Sequence, residues 1–256
     1  MPDSKQEAVR RALDDDQFLL FYQPIHDLES RRIVSAEALL RAQRRNGEVR
    51  NAGALAEAAE EGPHIFRLDS WTVRTAYRDA VRWQAFAPDV HLNVNLSARE
   101  LQEGRVVERL KELVTACGVD THKINIEITE TSYIEDPEEA MKVLRSLKDL
   151  GVQLWLDDFG TGHSSLSHLQ HFPIDGLKLP GEFVKDCPGD KRCAAIARSI
   201  VNLAHELDLA VIAEGVEHEE QLEFLRELRC ESIQGFLFSR PMPVSDFCEE
   251  LRRDVS

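Results

Sequence analysis

Ile124-Asn125-Ile126-Glu127-Ile128-Thr129 alternates three isoleucines with three polar residues, and His91-Leu92-Asn93-Val94-Asn95-Leu96 repeats the pattern. Successive side chains of a strand point to opposite faces, so each segment has one aliphatic face and one polar face. A sheet whose outer face lies under helices accounts for both. The aliphatics pack beneath the helices, while Asn93, Asn95, Asn125, Glu127 and Thr129 point inward and toward a mouth at the strand ends. Outward from these two segments, short apolar runs alternate with amphipathic stretches along the chain. Strands are expected at Phe18–Ile25, Ile33–Leu40, Val90–Leu96, Lys123–Thr129, Val152–Leu156, Gly176–Leu179, Ala210–Ala213 and Ser232–Leu237. Helices are expected at Ala52–Glu61, His64–Ala85, Arg105–Cys117, Pro137–Leu150, Lys191–Leu207, Glu219–Leu228 and Val244–Arg253. Eight strands separated by helices read as an α/β, TIM-like (β/α)8 barrel. The first two strands are joined only by His26-Asp27-Leu28-Glu29-Ser30-Arg31-Arg32, too short for a crossover helix. They should pair antiparallel, making the barrel irregular at its start. No repeat or linker divides the chain, so residues 1–256 are expected to form one domain.

The formal charge of −15 argues against binding a nucleic acid polymer or an anionic membrane nonspecifically. A phosphate substrate would need local cations to reverse that field. Cys117, Cys187, Cys193, Cys230 and Cys248 are scattered without a paired spacing, which suits reduced thiols in the cytoplasm. Met1 to Asp16 is charged and lacks the apolar core of a signal peptide, and no apolar run is long enough to span a membrane. A soluble, cytoplasmic, stand-alone domain is expected.

Acidic and amide side chains recur at the strand ends: Glu37, Asn95, Glu127, Asp157, Asp158 and Glu214. Two carboxylates about 4 Å apart repel by roughly 4 kcal/mol at an effective dielectric near 20, so a convergence of five requires protons or cations. An all-oxygen set without a neighbouring Cys or paired His points to Mg²⁺ or Mn²⁺ rather than zinc. Adjacent Asp157 and Asp158 can face one site only if the backbone leaves strand geometry, which Phe159-Gly160-Thr161-Gly162 permits. Singly, these residues have duller readings: a solvated strand end for Glu37, a turn start for Asn95, a helix cap for the paired aspartates. Lys178 between Leu177 and Leu179 would be awkward on a buried face without an acidic partner.

Together and in order, Tyr22-Gln23-Pro24-Ile25, Glu37-Ala38-Leu39-Leu40-Arg41, Asp157-Asp158-Phe159-Gly160-Thr161-Gly162, Lys178, Ala213-Glu214-Gly215-Val216-Glu217 and Gln234-Gly235-Phe236 resemble the EAL domain. This is a bacterial phosphodiesterase family acting on cyclic di-GMP. The resemblance implies two divalent ions, Mg²⁺ or Mn²⁺: Glu37, Asn95, Glu127 and Asp157 would hold one, and Asp157, Asp158 and Glu214 would frame the other. It implies hydrolysis of one phosphodiester to the linear dinucleotide pGpG. Lys178 would orient or deprotonate the water, Glu214 would be ligand or base, and Glu130 would brace the Asp-Phe-Gly loop. Gln23, Glu37, Leu40, Arg41, Asp158, Glu217 and Gln234 would meet the substrate, and a homodimer is implied near that loop.

The family's usual Lys-x-Asp becomes Lys178-Leu179-Pro180 here, so that carboxylate is missing. His163 and Glu100 also depart from the usual tyrosine and glutamine, at positions expected to be peripheral. The alternative reading is a weak or inactive EAL domain serving as a cyclic di-GMP receptor or a protein-interaction module.

Overall fold

The computed structural model describes residues 2–118, 120–129, 137–161, 169 and 171–255, with side chains from residue 5 and not for 103, 117 or 137. Eight strands close into a barrel: β1 (Phe18–Asp27), β2 (Ile33–Gln43), β4 (His91–Leu96), β5 (Ile124–Thr129), β6 (Gln153–Asp157), β7 (Gly176–Leu179), β8 (Ala210–Ala213) and β9 (Ser232–Ile233). Short β3 (Val49–Asn51) and β10 (Met242–Pro243) extend β2 and β1. Strands β2 and β4 to β9 run parallel, whereas β1 is antiparallel to both neighbours and closes the ring. The expected hairpin is present, and its register sets Gln23 opposite Glu37. Its turn is held by the Asp27 carboxylate, which accepts from the Ser30 backbone N–H at 2.7 Å.

Among the described residues the helices are α1 (Pro2–Asp14), α2 (Gly53–Glu60), α3 (Ile65–Gln84), α4 (Ala98–Glu103), α5 (Arg105–Cys117), α6 (Pro137–Asp149), α7 (Gly181–Val184), α8 (Lys191–Glu206), α9 (Glu219–Glu227) and α10 (Val244–Asp254). Three were not expected from the sequence: α1, α4 and α7. In α1 the charged residues outnumber a narrow apolar stripe, and only contact with the rest of the chain reveals it. Val9 and Ala12 pack with Phe18, Ala58, Ala59, Ile65 and Leu68 in a cluster separate from the main core.

Aliphatics of the strands lie under the helices as expected. Leu92, Val94, Ile124, Ile126 and Ile128 are all buried in the main core. Tyr22 points outward from β1 to meet Trp83 of α3 edge-on, with ring centroids 5.3 Å apart, and Phe247 of α10 completes the group. Inside the barrel, Ile25, Trp155 and Ile212 fill the volume below the mouth. The indole has room because residue 176 is glycine: a Cβ there would lie 2.5 Å from Trp155 Cζ3.

One strand is shorter than expected. Ser232–Leu237 is strand only through Ile233, after which the chain wraps around Val216. The Val216 N–H donates to the Gln234 carbonyl at 3.1 Å, and the Leu237 N–H donates to the Val216 carbonyl at 3.0 Å. Gly235 passes so close to the Val216 backbone that no side chain fits, and this departure from the sheet brings Gln234 to the mouth. Among the described residues no helix is long and apolar enough to cross a membrane.

Replacing Gly176 with valine forces either β7 or Trp155 to shift, at a cost of about 1–3 kcal/mol typical of overpacking. The urea midpoint of Gly176→Val should fall accordingly; an unchanged midpoint would show that the interior repacks freely.

Candidate active site

Lys178 of β7 is 1% exposed, yet its ammonium lies among four acids. Its Nζ is 2.7 Å from Glu214, 3.0 Å from Glu127, 3.3 Å from Asp157 and 3.4 Å from Glu37. The acids come from β2, β5, the end of β6 and the residue after β8, so closure of the barrel assembles them. The Ala213-Glu214 step brings the last acid up because the Glu214 N–H still donates to the Leu179 carbonyl at 3.0 Å.

Burial by itself would favour the neutral amine, but Glu127, Glu37, Glu214 and Asp157 outweigh it and hold the Lys178 pKa well above the usual lysine value. Among the acids the balance differs. Burial pushes Glu214 up to about 7 despite Lys178, and it pushes Glu127 well above the carboxylate range, with Glu37 and Asp157 adding repulsion. Burial also opposes ionisation of Glu37, but Lys178, Gln234 and Asn95 together prevail and lower its pKa. Both Glu37 oxygens receive donors: Asn95 Nδ2 at 3.0 Å and Gln234 Nε2 at 2.8 Å.

One ammonium cannot neutralise four carboxylates. Burial first, and repulsion from the neighbouring acids second, raise Glu127 and Glu214, and the oxygen-only donors of the site are those of a hard divalent cation. Among the described residues, no three Asp, Glu, His or Cys side chains form a closed metal-ligand cluster; the acids close on the lysine. The charge deficit and donor chemistry nevertheless fit divalent ions.

Asp157 and Asp158 are separated by a backbone break of the kind the sequence demands. Asp157 ends β6, and Asp158 is left-handed with φ +55°. Asp158 is exposed at the rim outside the lysine's contacts, and partial burial with Asp157 beside it raises its pKa. Glu130 and His163 lie outside the described residues.

One cleft opens over the acids, and a second lies beside it and shares Leu39. The first, of about 360 Å³, is lined by Gln23, Glu37, Asp157, Lys178, Glu214, Glu217 and Gln234. The other, of about 610 Å³, is lined by Leu40, Asn95 and the apolar Ala56, Ile65, Leu68 and Leu96. Gln23 Nε2 donates to the Ser239 carbonyl at 3.3 Å. Arg41 lies over the Phe21 ring at 5.7 Å and donates to the Leu40 carbonyl at 2.9 Å. Glu217 is exposed, its N–H donating to Gln221 Oε1 at 2.7 Å. Pro180 is buried after β7, and its carbonyl accepts from the Phe183 N–H at 3.0 Å to begin α7.

Sequence reasoning missed Asp69, on α3 in the wall of the larger cleft. It accepts from Ser97 Oγ at 2.5 Å, and Ser97 in turn caps α4 by accepting from the Glu100 N–H at 3.3 Å. The signal was legible: with Ile65, Leu68, Thr72 and Ala76, Asp69 occupies the inward stripe of α3, where an acid needs a reason. Glu100 is fully buried and ion-paired with Arg109, and it is not in the lining of either cleft.

The sequence profile of the EAL domain matches residues 6–241. The chain belongs to the EAL domain family. Cyclic di-GMP phosphodiesterase NbdA of Pseudomonas aeruginosa is 37% identical over 248 residues, covering 96% of this chain and 32% of that protein. Cyclic di-GMP phosphodiesterase PdeR of Escherichia coli is 36% identical over 239 residues, covering 93% of this chain and 36% of that protein. This EAL domain therefore spans about a third of the length of the curated relatives it matches. Among solved structures, the PaMucR phosphodiesterase in complex with c-di-GMP superposes with a TM-score of 0.90 at 33% identity, covering 95% of this chain and 99% of that one.

Burial raises Asp69 to about 7, with Glu100 and Glu60 adding to the rise and Ser97 and Arg109 opposing it. A carboxyl with a higher pKa folded than unfolded takes up a proton on folding, so its burial penalty grows as pH climbs from about 4 to about 7. Asp69→Asn removes that penalty and keeps an acceptor for Ser97. It should stabilise the protein on the order of 1–3 kcal/mol at pH 8 and by little at pH 4, read from urea unfolding.

Proposed function

We propose that this chain is a metal-dependent phosphodiesterase that hydrolyses one phosphodiester bond of cyclic di-GMP to the linear dinucleotide pGpG. The observation that carries the reading is the convergence of Glu37, Glu127, Asp157 and Glu214 on the Lys178 ammonium beneath an open cleft. The activity named for NbdA and PdeR, and the dinucleotide named for PaMucR, support the substrate class.

Glu37, Asn95, Glu127, Asp157, Asp158 and Glu214 would hold two divalent ions, Mg²⁺ or Mn²⁺. The chemistry such ions supply is polarisation of a phosphoryl oxygen and acidification of the attacking water. Lys178 offers N–H donors that orient this water and offset charge developing on phosphorus. The water oxygen bonds to phosphorus as the opposite P–O bond to the ribose breaks. Glu214 would take the water's proton, and the departing ribose oxygen would take a proton from bulk water as the P–O bond breaks. Arg41 and Gln23 would contact a phosphate, with the guanidinium fork suited to two oxygens. The apolar wall of Ile65, Leu68 and Leu96 beside the Asp69 carboxyl suits a guanine, whose N1–H and amino group are donors. Leu40, on the same wall, would pack against that base, while Glu217 and Gln234 would meet the substrate from the smaller cleft.

Pro180 favours a second reading, a receptor that binds cyclic di-GMP without cleaving it, because the family's usual carboxylate is missing there.

Purified protein with cyclic di-GMP and Mn²⁺ should yield linear dinucleotide by chromatography, and a chelator should abolish it. Lys178→Met should lower turnover about 100-fold or more, as expected for losing a positioned donor and charge. Micromolar binding with no product supports the receptor reading, in which case Pro180→Asp should restore cleavage. Absence of both binding and cleavage would defeat both readings.

A further inference from the structure

Beneath Glu127, two asparagines occupy barrel-interior positions normally given to packing, and the catalytic scheme above gives them no role. Asn93 and Asn125 are 0% and 3% exposed and lie opposite each other in the register of β4 and β5. Asn93 Nδ2 donates to Glu127 Oε1 at 2.7 Å, and Asn125 Nδ2 donates to Asn93 Oδ1 at 2.9 Å. His91, half-buried at the start of β4, meets Asn125 Oδ1 through Nδ1 at 3.0 Å. The other Glu127 oxygen, Oε2, accepts from Lys178 at 3.0 Å.

The direction of this chain follows from its upper end. As the ligand of a divalent ion Glu127 would be ionised and would only accept, so Asn93 turns its amide nitrogen toward Glu127 and its oxygen away. That oxygen requires a donor, which orients Asn125, whose own oxygen then requires a donor from His91. The imidazole must therefore carry a hydrogen on Nδ1, in its neutral or its charged form alike. Each link is buried or nearly so, where an unpaired amide costs far more than it would in water.

We propose that His91, Asn125 and Asn93 form a directional hydrogen-bond chain through the barrel that locks the Glu127 carboxylate, making Asn93 a positioning residue for a metal ligand. The proposal rests on the reading of Glu127 as a ligand given above. Asn93 satisfies Oε1 from below and prevents the carboxylate from rotating, so Oε2 faces the mouth. The amide chain reaches about the depth of the strand, and His91 anchors it at the far end of the barrel from the acids. Partners that orient a ligand in this way typically account for ten- to hundred-fold in metal affinity.

The test uses the whole chain and Mn²⁺ alone, followed by calorimetric titration, with side-chain ¹⁵N NMR of the histidines as a second arm. Asn93→Leu, close in volume but unable to donate, should raise the Mn²⁺ dissociation constant ten- to hundred-fold with the fold retained. Asn125→Leu, one link further away, should raise it less, and it decides the matter if Asn93→Leu does not fold. In the wild type, His91 should show Nδ1–H, and Asn125→Leu should release that preference. Folded Asn93→Leu, or in its place Asn125→Leu, with wild-type Mn²⁺ affinity overturns the positioning role. A His91 proton confined to Nε2 overturns the chain's direction. Wild-type protein that binds no Mn²⁺ overturns the ligand reading itself, an outcome distinct from both.

Discussion

A single buried ammonium organises the mouth of this barrel. Lys178 is nearly inaccessible to water, and a buried charge survives there only if the surrounding groups replace its hydration. Four carboxylates from four separate points of the chain do so, and their repulsion is in turn relieved by the lysine. The same arrangement leaves a surplus of negative charge, with burial displacing Glu127 and Glu214 toward protonation. Structure and proposed chemistry thus depend on one constraint, which is that these acids cannot all be ionised beside one another without further cations.

The scaffold meets that constraint through its irregular strand. Because β1 runs antiparallel to β2 and β9, it closes the ring with Gln23 facing Glu37 across the hairpin. The last strand ends early, and Gln234 bonds back to Glu37 at 2.8 Å. Glu37 is therefore held by backbone pairing with Gln23 in the adjacent strand and by the side chain of Gln234, 197 positions further along the sequence. Below it, Trp155 occupies the space left by Gly176, with Ile25 and Ile212 completing a dry floor under a polar mouth. The amides between floor and mouth carry the transition from apolar to charged, each with both its oxygen and its nitrogen satisfied.

Much of this was legible. The alternation in Ile124–Thr129 separated inward polar groups from outward isoleucines, and the short link after Ile25 required a hairpin. The aspartate pair before Phe159-Gly160 required a backbone break, which is found at Asp158. Elements with weak local signals were not legible. The helix Pro2–Asp14 has a narrow apolar stripe and is stabilised by contact with α2, while Ser232–Leu237 reads as a continuous strand until Gly235 meets Val216. The burial of Glu100 was not legible either, because its pairing with Arg109 depends on the turn between two helices.

The sequence by itself determined the period of the longer elements, the hairpin, the acidic and amide residue types at the strand ends, and the family resemblance, because strand alternation, turn length and side-chain chemistry are local properties. Tertiary structure alone decided that Lys178 lies at the centre of the acids, that Asp157 reaches it while Asp158 stays at the rim, and that Asp69 enters the cleft wall. Those outcomes depend on which strand ends become neighbours when the barrel closes. The same is true of the asparagines under Glu127. Alternation places them inside, but only the parallel register of β4 against β5 makes two inward amides into a connected chain.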